Sequence, residues 1–149
     1  MIEYIPSPSQ WVAKQVELYE RSGGTKGSTL NGRPVIIVTN RGRKTGAIRK
    51  TPLMRVADRN CYVLVASMGG APKHPFWYHN LKADPYVEIQ DGAEVYCLKV
   101  QEVENSIERQ RLWNVAVKAY PPYQDYQEKT GRVIPILLSE SIGTRGTLV

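Results

Sequence analysis

Cysteine, histidine and long apolar runs are scarce in this chain of 149 residues, and each scarcity closes off a class of protein. Cys61 and Cys97 are too few for a disulfide scaffold, and neither has a Cys or His partner at metal-ligand spacing. Both read as reduced core residues. His74 and His79 stand five apart with no third ligand nearby, so no metal is expected. No aliphatic run exceeds that of residues 35–38, far short of the roughly 18 apolar residues that a bilayer span needs. The opening residues carry an acid and early prolines in place of a basic stretch and an apolar segment, so no secretory signal is expected and the chain is placed in the cytoplasm. Also missing are a Gly-x-Ser-x-Gly elbow, a related Cys and His pair and a carboxylate cluster. An enzyme with this inventory brings no nucleophile or acid–base pair of its own. A bound organic cofactor must then do the hard step, and a redox cofactor fits the gap.

What is present supports a core: 42% of residues are hydrophobic and 23% charged, in a length that suits one domain spanning residues 1–149. The charge is uneven. Twelve basic and four acidic side chains fall in residues 1–75, against eight and ten in residues 76–149. The positive field is local, and an anionic partner is expected there.

Ser7, Pro8 and Gln10 read as cap, first helical residue and capping-box partner of an amphipathic helix within residues 1–23, stopped by Gly23-Gly24. That helix either packs on a sheet or touches a membrane surface or partner, which Trp11 would suit. After a loop at residues 22–33, strands are expected at 35–39, 51–57 and 61–66, and a short helix at 76–83. A hairpin then turns at Asp91-Gly92 between strands at 86–90 and 93–103. Asn105 and Glu108 open a helix that Pro121-Pro122 ends; a polar aromatic stretch and a strand at 134–138 follow. Neighbouring strands without regular helix alternation argue for a mainly antiparallel α+β barrel with flanking helices.

Three segments could carry chemistry. Residues 40–50 hold five basic side chains and no acid, interrupted by Gly42 and Gly46. Glycines can turn backbone N–H groups toward a ligand while Arg and Lys supply charge-assisted bonds to phosphate or carboxylate, so the segment reads as an anion cradle or as a solvated basic hairpin tip. Residues 67–80 set a small-residue loop before an aromatic helix start, a place for a planar, partly anionic ring. Tyr120, Tyr123 and Tyr126 recur at intervals of three around a helix break, where their hydroxyls could meet a substrate oxygen or their rings could merely close the barrel end.

Taken together these motifs resemble the deazaflavin-dependent nitroreductase family, whose members bind coenzyme F420 on a split β-barrel of the FMN-binding type. The resemblance covers residues 24–139. It rests on Gly42-Arg43-Lys44-Thr45-Gly46, on Arg49 with Pro52-Leu53, on Ser67-x-Gly69-Gly70-Ala71 with Pro75-x-Trp77-Tyr78-x-Asn80, on Tyr120-Pro121-x-Tyr123-Gln124-Asp125-Tyr126 and on Arg132-x-Ile134-Pro135. It implies that Arg43, Lys44, Thr45 and Arg49, with Lys50 and Thr51 beside them, hold the coenzyme's phosphate and oligoglutamate tail. Pro52, Leu53, Met54, Val65, Ala66 and Ser67 would line the ring, together with Phe76, Trp77, Tyr78, His79 and Asn80, and Met68 would stand beside the phosphate region. Tyr120, Tyr123, Tyr126 and Ser67 would face the substrate, with Tyr123 also touching the cofactor. The implied chemistry is hydride transfer from the reduced coenzyme to a quinone resembling menaquinone, or to nitroaromatics, without nucleic acid, with peripheral contact at the inner face of the cell membrane and with a homodimer as an assembly. Met54 and Met68 stand where some members carry Tyr and Lys; methionine donates no hydrogen bond, and Met54 predicts a wider pocket with altered substrate preference, at the expense of nitroreduction and not of cofactor binding. Two other readings share the basic loop: an FMN-binding split barrel, and a nucleic-acid or anionic-surface module whose affinity would fall steeply with salt.

Overall fold

The computed structural model describes residues 2–145, with the side chains of residues 2–140. Residue 1 and residues 146–149 of the expected single domain lie outside the described residues. Among the described residues eight strands follow one another as β1 (Thr29–Leu30), β2 (Arg33–Arg41), β3 (Ile48–Met54), β4 (Ala57–Asp58), β5 (Cys61–Val65), β6 (Tyr86–Asp91), β7 (Glu94–Glu102) and β8 (Ile136–Arg145). They pair in the order β1-β2-β6-β7-β8-β5-β4, with β3 added on β2, and all of these pairings are antiparallel. Four helices flank the sheet: α1 (Gln10–Arg21), α2 (Phe76–Ala83), α3 (Ser106–Ala119) and α4 (Pro122–Lys129). This is an α+β split barrel.

The run Val35-Ile36-Ile37-Val38 is continuous because β2 is covered on both faces. Ile36 and Val38 join Leu64, Val87, Ile89, Leu98 and Leu137 in the barrel interior, closed by Trp77 and Leu81 of α2. Val35 and Ile37 face the other way, onto Val16 and Tyr19 of α1. β5 is likewise two-sided: Val63 and Val65 meet Leu112, Trp113 and Ala116 of α3 and Tyr120 and Tyr123.

Four local readings are corrected by the tertiary context. Helix α1 starts at Gln10, not at Ser7. The Ser7 hydroxyl accepts from the Ser9 N–H (3.1 Å), Pro8 lies outside the helix, and Tyr4 instead forms a parallel bridge with Ile48 at the free edge of β3. The residues taken as a loop at 22–33 contain β1, joined to β2 by Asn31-Gly32. Both residues have positive φ (52° and 73°), the backbone of a tight primed turn. At the β6–β7 hairpin the two-residue turn is Gly92-Ala93, one residue later than expected; Asp91 still pairs with Glu94, and its carboxylate accepts from Tyr62 and Arg55. Finally, the polar stretch after Pro121 is helix α4, with Pro122 at its first position, where a missing N–H costs nothing.

Candidate functional site

One cavity of about 850 Å³ opens between α1, β3, the end of β5, the start of α2 and α4. That volume suits a cofactor together with a small substrate. Its walls are mainly apolar: Pro52, Leu53 and Met54 from β3, Val65 from β5, Trp77 from α2, and Val12 and Leu30 from the N-terminal part. Because the only strand that β3 pairs with among the described residues is β2, and the N-terminal segment bonds to its other edge at Ile48 alone, the rest of that edge is left to α1 and the cavity.

The basic loop between β2 and β3, with Arg43, Lys44 and Thr45, and the start of β3, with Arg49, Lys50 and Thr51, form the charged part of the lining. The Gly42 N–H donates to Ala47 O and the Gly46 N–H to Gly42 O, both at 2.8 Å, so the glycine amides close the loop instead of turning toward a ligand, which corrects the expectation from the sequence. The Asn80 side chain anchors the loop by accepting from the Arg43 N–H at 3.0 Å. Among the described residues Arg43, Lys44 and Arg49 form no ion pair, whereas Lys50 is paired with Glu20 of α1 and lies over the Tyr4 ring. Three cations are therefore open to an anion. The fourth is largely neutralised by the helix it holds in place.

Past β5 the chain enters a left-handed turn, Met68 (φ 47°), Gly69 (φ 63°) and Gly70 (φ 79°), that brings Ser67, Met68 and Gly69 to the cavity. Arg132 holds this turn from behind. Its guanidinium donates to Ser67 O (2.7 Å), Ala71 O (2.8 Å) and Ala66 O (3.1 Å), and it contacts His74 Nδ1 at 2.9 Å. Burial, and then the neighbouring Arg132 charge, depress the His74 pKa, so its ring stays neutral. Three residues expected at the ring lie elsewhere. Ala66 is sealed in the barrel interior, the Tyr78 hydroxyl turns away to donate to Glu102 (2.6 Å), and His79 stacks edge-on beside His74 and Tyr78. Residues 78 and 79 leave the cavity because, one and two positions beyond Trp77, they occupy the other faces of α2.

Tyr120, Tyr123 and Tyr126 do converge on the cavity wall, with Tyr123 edge to face on both of the others. The Tyr120 and Tyr126 hydroxyls are 3.2 Å apart. Tyr126 is pushed up to about 12, first by that hydrogen bond and then by burial, and burial raises the Tyr123 pKa as well. The Tyr123 and Tyr126 hydroxyls therefore stay protonated at neutral pH and can act as donors. The sequence reading missed Asn31, which donates to the Tyr120 hydroxyl at 3.0 Å, and missed Trp11, Val12 and Pro8, with which the N-terminal segment roofs the cavity. The Asn-Gly pair was a legible turn signal; the roof was not, since nothing local says where α1 docks. Among the described residues no group of three or more His, Cys, Asp or Glu side chains is placed to hold a metal ion.

Comparison with known proteins agrees with this geometry. Residues 11–141 match the family described as F420H(2)-dependent quinone reductase. An F420H(2)-dependent quinone reductase of Mycobacterium tuberculosis is 32% identical over 142 residues, covering 87% of this chain and 95% of that protein. A solved F420-H2 dependent reductase, FDR-A, is 49% identical, covers 72% of this chain and 95% of its own, and superposes with a TM-score of 0.68. A second solved chain, described as a domain-swapped dimer, is 46% identical over 90% of this chain and 100% of its own, with a TM-score of 0.70.

Proposed function

Since the chain belongs to the F420H(2)-dependent quinone reductase family, we propose that its acceptor is a quinone seated under the tyrosines of the cavity. It is an F420-dependent reductase. The observation that carries the reading is that one cavity joins three open cations, an apolar wall and a set of protonated phenols. Arg43, Lys44 and Arg49 would hold the phosphate and acidic tail of the coenzyme, with charge-assisted bonds that a neutral loop could not supply. Pro52, Leu53, Met54, Val65 and Trp77 would exclude water from its ring. The reduced coenzyme, when bound, supplies the hydride. A quinone taking up a hydride gains negative charge on its oxygen, and the tyrosine hydroxyls are the donors at hand to meet it. Nitroaromatics, also flat and electron-poor, would fit the same walls, and Met54 leaves room for either without adding a donor.

Titration of the purified protein with reduced coenzyme F420, FMN and single-stranded DNA tests the cradle. Tight binding of the coenzyme alone, followed by its oxidation on adding menadione, is expected; binding of DNA or FMN in its place overturns the reading.

Among the described residues no helix is long and apolar enough to cross a membrane. The cavity mouth nevertheless exposes Trp11, Met68 and Phe76, the last 82% accessible, beside the basic loop. This rim would let a lipid-dissolved quinone enter from a membrane surface, with the cations drawn to anionic headgroups. Trp11→Ser with Phe76→Ser is expected to lower co-sedimentation with anionic vesicles several-fold, and by more than it lowers coenzyme affinity, since both side chains also border the cavity. Equal recovery of variant and parent would remove the membrane from the account. The swapped dimer of the similar solved chain makes a homodimer the assembly to look for, by light scattering.

A further inference from the structure

We infer that Asn31 is a positioning residue: by donating to Tyr120 it leaves the tyrosine pair with one hydroxyl hydrogen directed at the acceptor. The inference rests on the quinone reading of the same cavity. It follows from counting hydrogens. The Asn31 amide donates to the Tyr120 oxygen (3.0 Å), and the Tyr120 and Tyr126 hydroxyls are linked at 3.2 Å. A phenol has a single hydrogen, so the link between the two rings uses one of their two. Since Asn31 contributes its own hydrogen and takes none, the second phenolic hydrogen has no partner in the protein and faces the cavity that Asn31, Tyr120 and Tyr126 all line. Were a group at position 31 to accept, Tyr120 would donate to it and Tyr126 to Tyr120. No hydrogen would remain for a substrate oxygen.

The backbone is built to place this amide. Asn31 sits at positive φ in the two-residue turn between β1 and β2, a conformation that asparagine tolerates better than other side chains. The next residue but one, Arg33, donates to Ala119 O at 3.2 Å, tying the hairpin tip to the end of α3 beside Tyr120. Two bonds thus hold the tip against the tyrosines. The hydrogen of the amide strengthens the donor it leaves behind, since a chain of hydrogen bonds polarises each member.

Three variants separate donor polarity from mere support of the turn. Asp and Gly both accept the backbone of a primed turn, so Asn31→Asp and Asn31→Gly keep the hairpin. Binding of menadione to protein loaded with oxidised coenzyme, followed by fluorescence quenching, is expected to weaken about tenfold in Asn31→Asp and only about threefold in Asn31→Gly, the scale of one neutral hydrogen bond. Coenzyme affinity stays unchanged in both. In a Tyr120→Phe background, Asn31→Asp has no further effect. An Asp variant that matches the parent while the Gly variant is weaker would mean that Asn31 accepts, and two variants equal to the parent would mean that it only makes the turn; either overturns the inference. A second measurement needs no acceptor: the tyrosinate absorbance titration of each protein minus that of its Tyr120→Phe counterpart. A lost donor makes the phenolate harder to form, so Asn31→Gly should raise the midpoint; a lowered or unmoved midpoint overturns the donor assignment. If menadione fails to bind the parent protein, the quinone reading falls and the titration alone decides the role of Asn31.

Discussion

Replacing Lys44 and Arg49 together by alanine lowers affinity for coenzyme F420 about a hundredfold at low salt, taking about 1.5 kcal/mol for each charge-assisted bond at a solvent-reached site. Neither side chain has a carboxylate partner among the described residues, so neither charge is spent before the coenzyme arrives. Lys50 is the internal control. It lines the same cavity, but its ammonium is held by Glu20, and Lys50→Ala is expected to cost no more than about threefold in affinity while loosening α1. The loss in the double variant should shrink as salt rises, because the parent's own affinity is then screened. Isothermal titration at two ionic strengths checks both points. Equal losses for Lys50→Ala and for the double variant would show that the cradle lies on the wrong side of β3.

The largest stability effect is expected at a glycine far from the cations. A Cβ added to Gly24 would stand 2.4 Å from Gly92 Cα, a backbone atom that cannot step aside, and Gly24 has φ +77°. Overpacking and left-handed strain each cost about 1 to 2 kcal/mol or more, so Gly24→Ala should lose about 3 kcal/mol. In a domain of this size that corresponds to a fall of about 6 to 12 °C in melting temperature. The contact explains why. The loop after α1 sits directly on the β6–β7 turn, and the buried Tyr19 hydroxyl accepts from the Gly92 N–H at 2.7 Å. These contacts seat the helix that roofs the cavity, so coenzyme affinity should fall along with stability. A thermal scan showing a shift under about 2 °C would mean that the two loops are not in this contact in solution. Gly23→Ala, one residue earlier with nothing within 4 Å of the added Cβ, should suffer only the conformational strain, about 1 kcal/mol.

Legibility in the sequence followed the range of the interactions involved. Helix α2 appears at 76–83 as its punctuation implied, and Asn105 caps α3 by accepting from the N–H groups of Ile107 and Glu108, at 3.1 and 3.0 Å. These signals are complete within four residues. Helix α4 reads in the sequence only as a polar aromatic stretch; its helical state depends on Tyr123 burying against Trp113 and on Gly70 lying under the Tyr126 backbone, contacts outside the stretch itself. Lys50 looked like a member of the cradle on composition alone. Only the docking of α1 brings Glu20 to it and removes it from the set of open charges.

By itself the sequence determined the class of partner and most of the strand and helix inventory. Local charge density, turn residues and apolar period act over a few residues and need no knowledge of the rest of the chain. It also supplied the family, since several ordered motifs at matching separations are hard to meet by chance. The tertiary structure alone decided which cations stay unpaired, that Tyr78 and His79 turn away from the cavity, and that a hairpin tip some ninety residues upstream orients the tyrosine pair. The physical reason is that pairing, burial and hydrogen-bond polarity depend on which groups meet in space, and those meetings are set by how the barrel closes and where α1 lies across it.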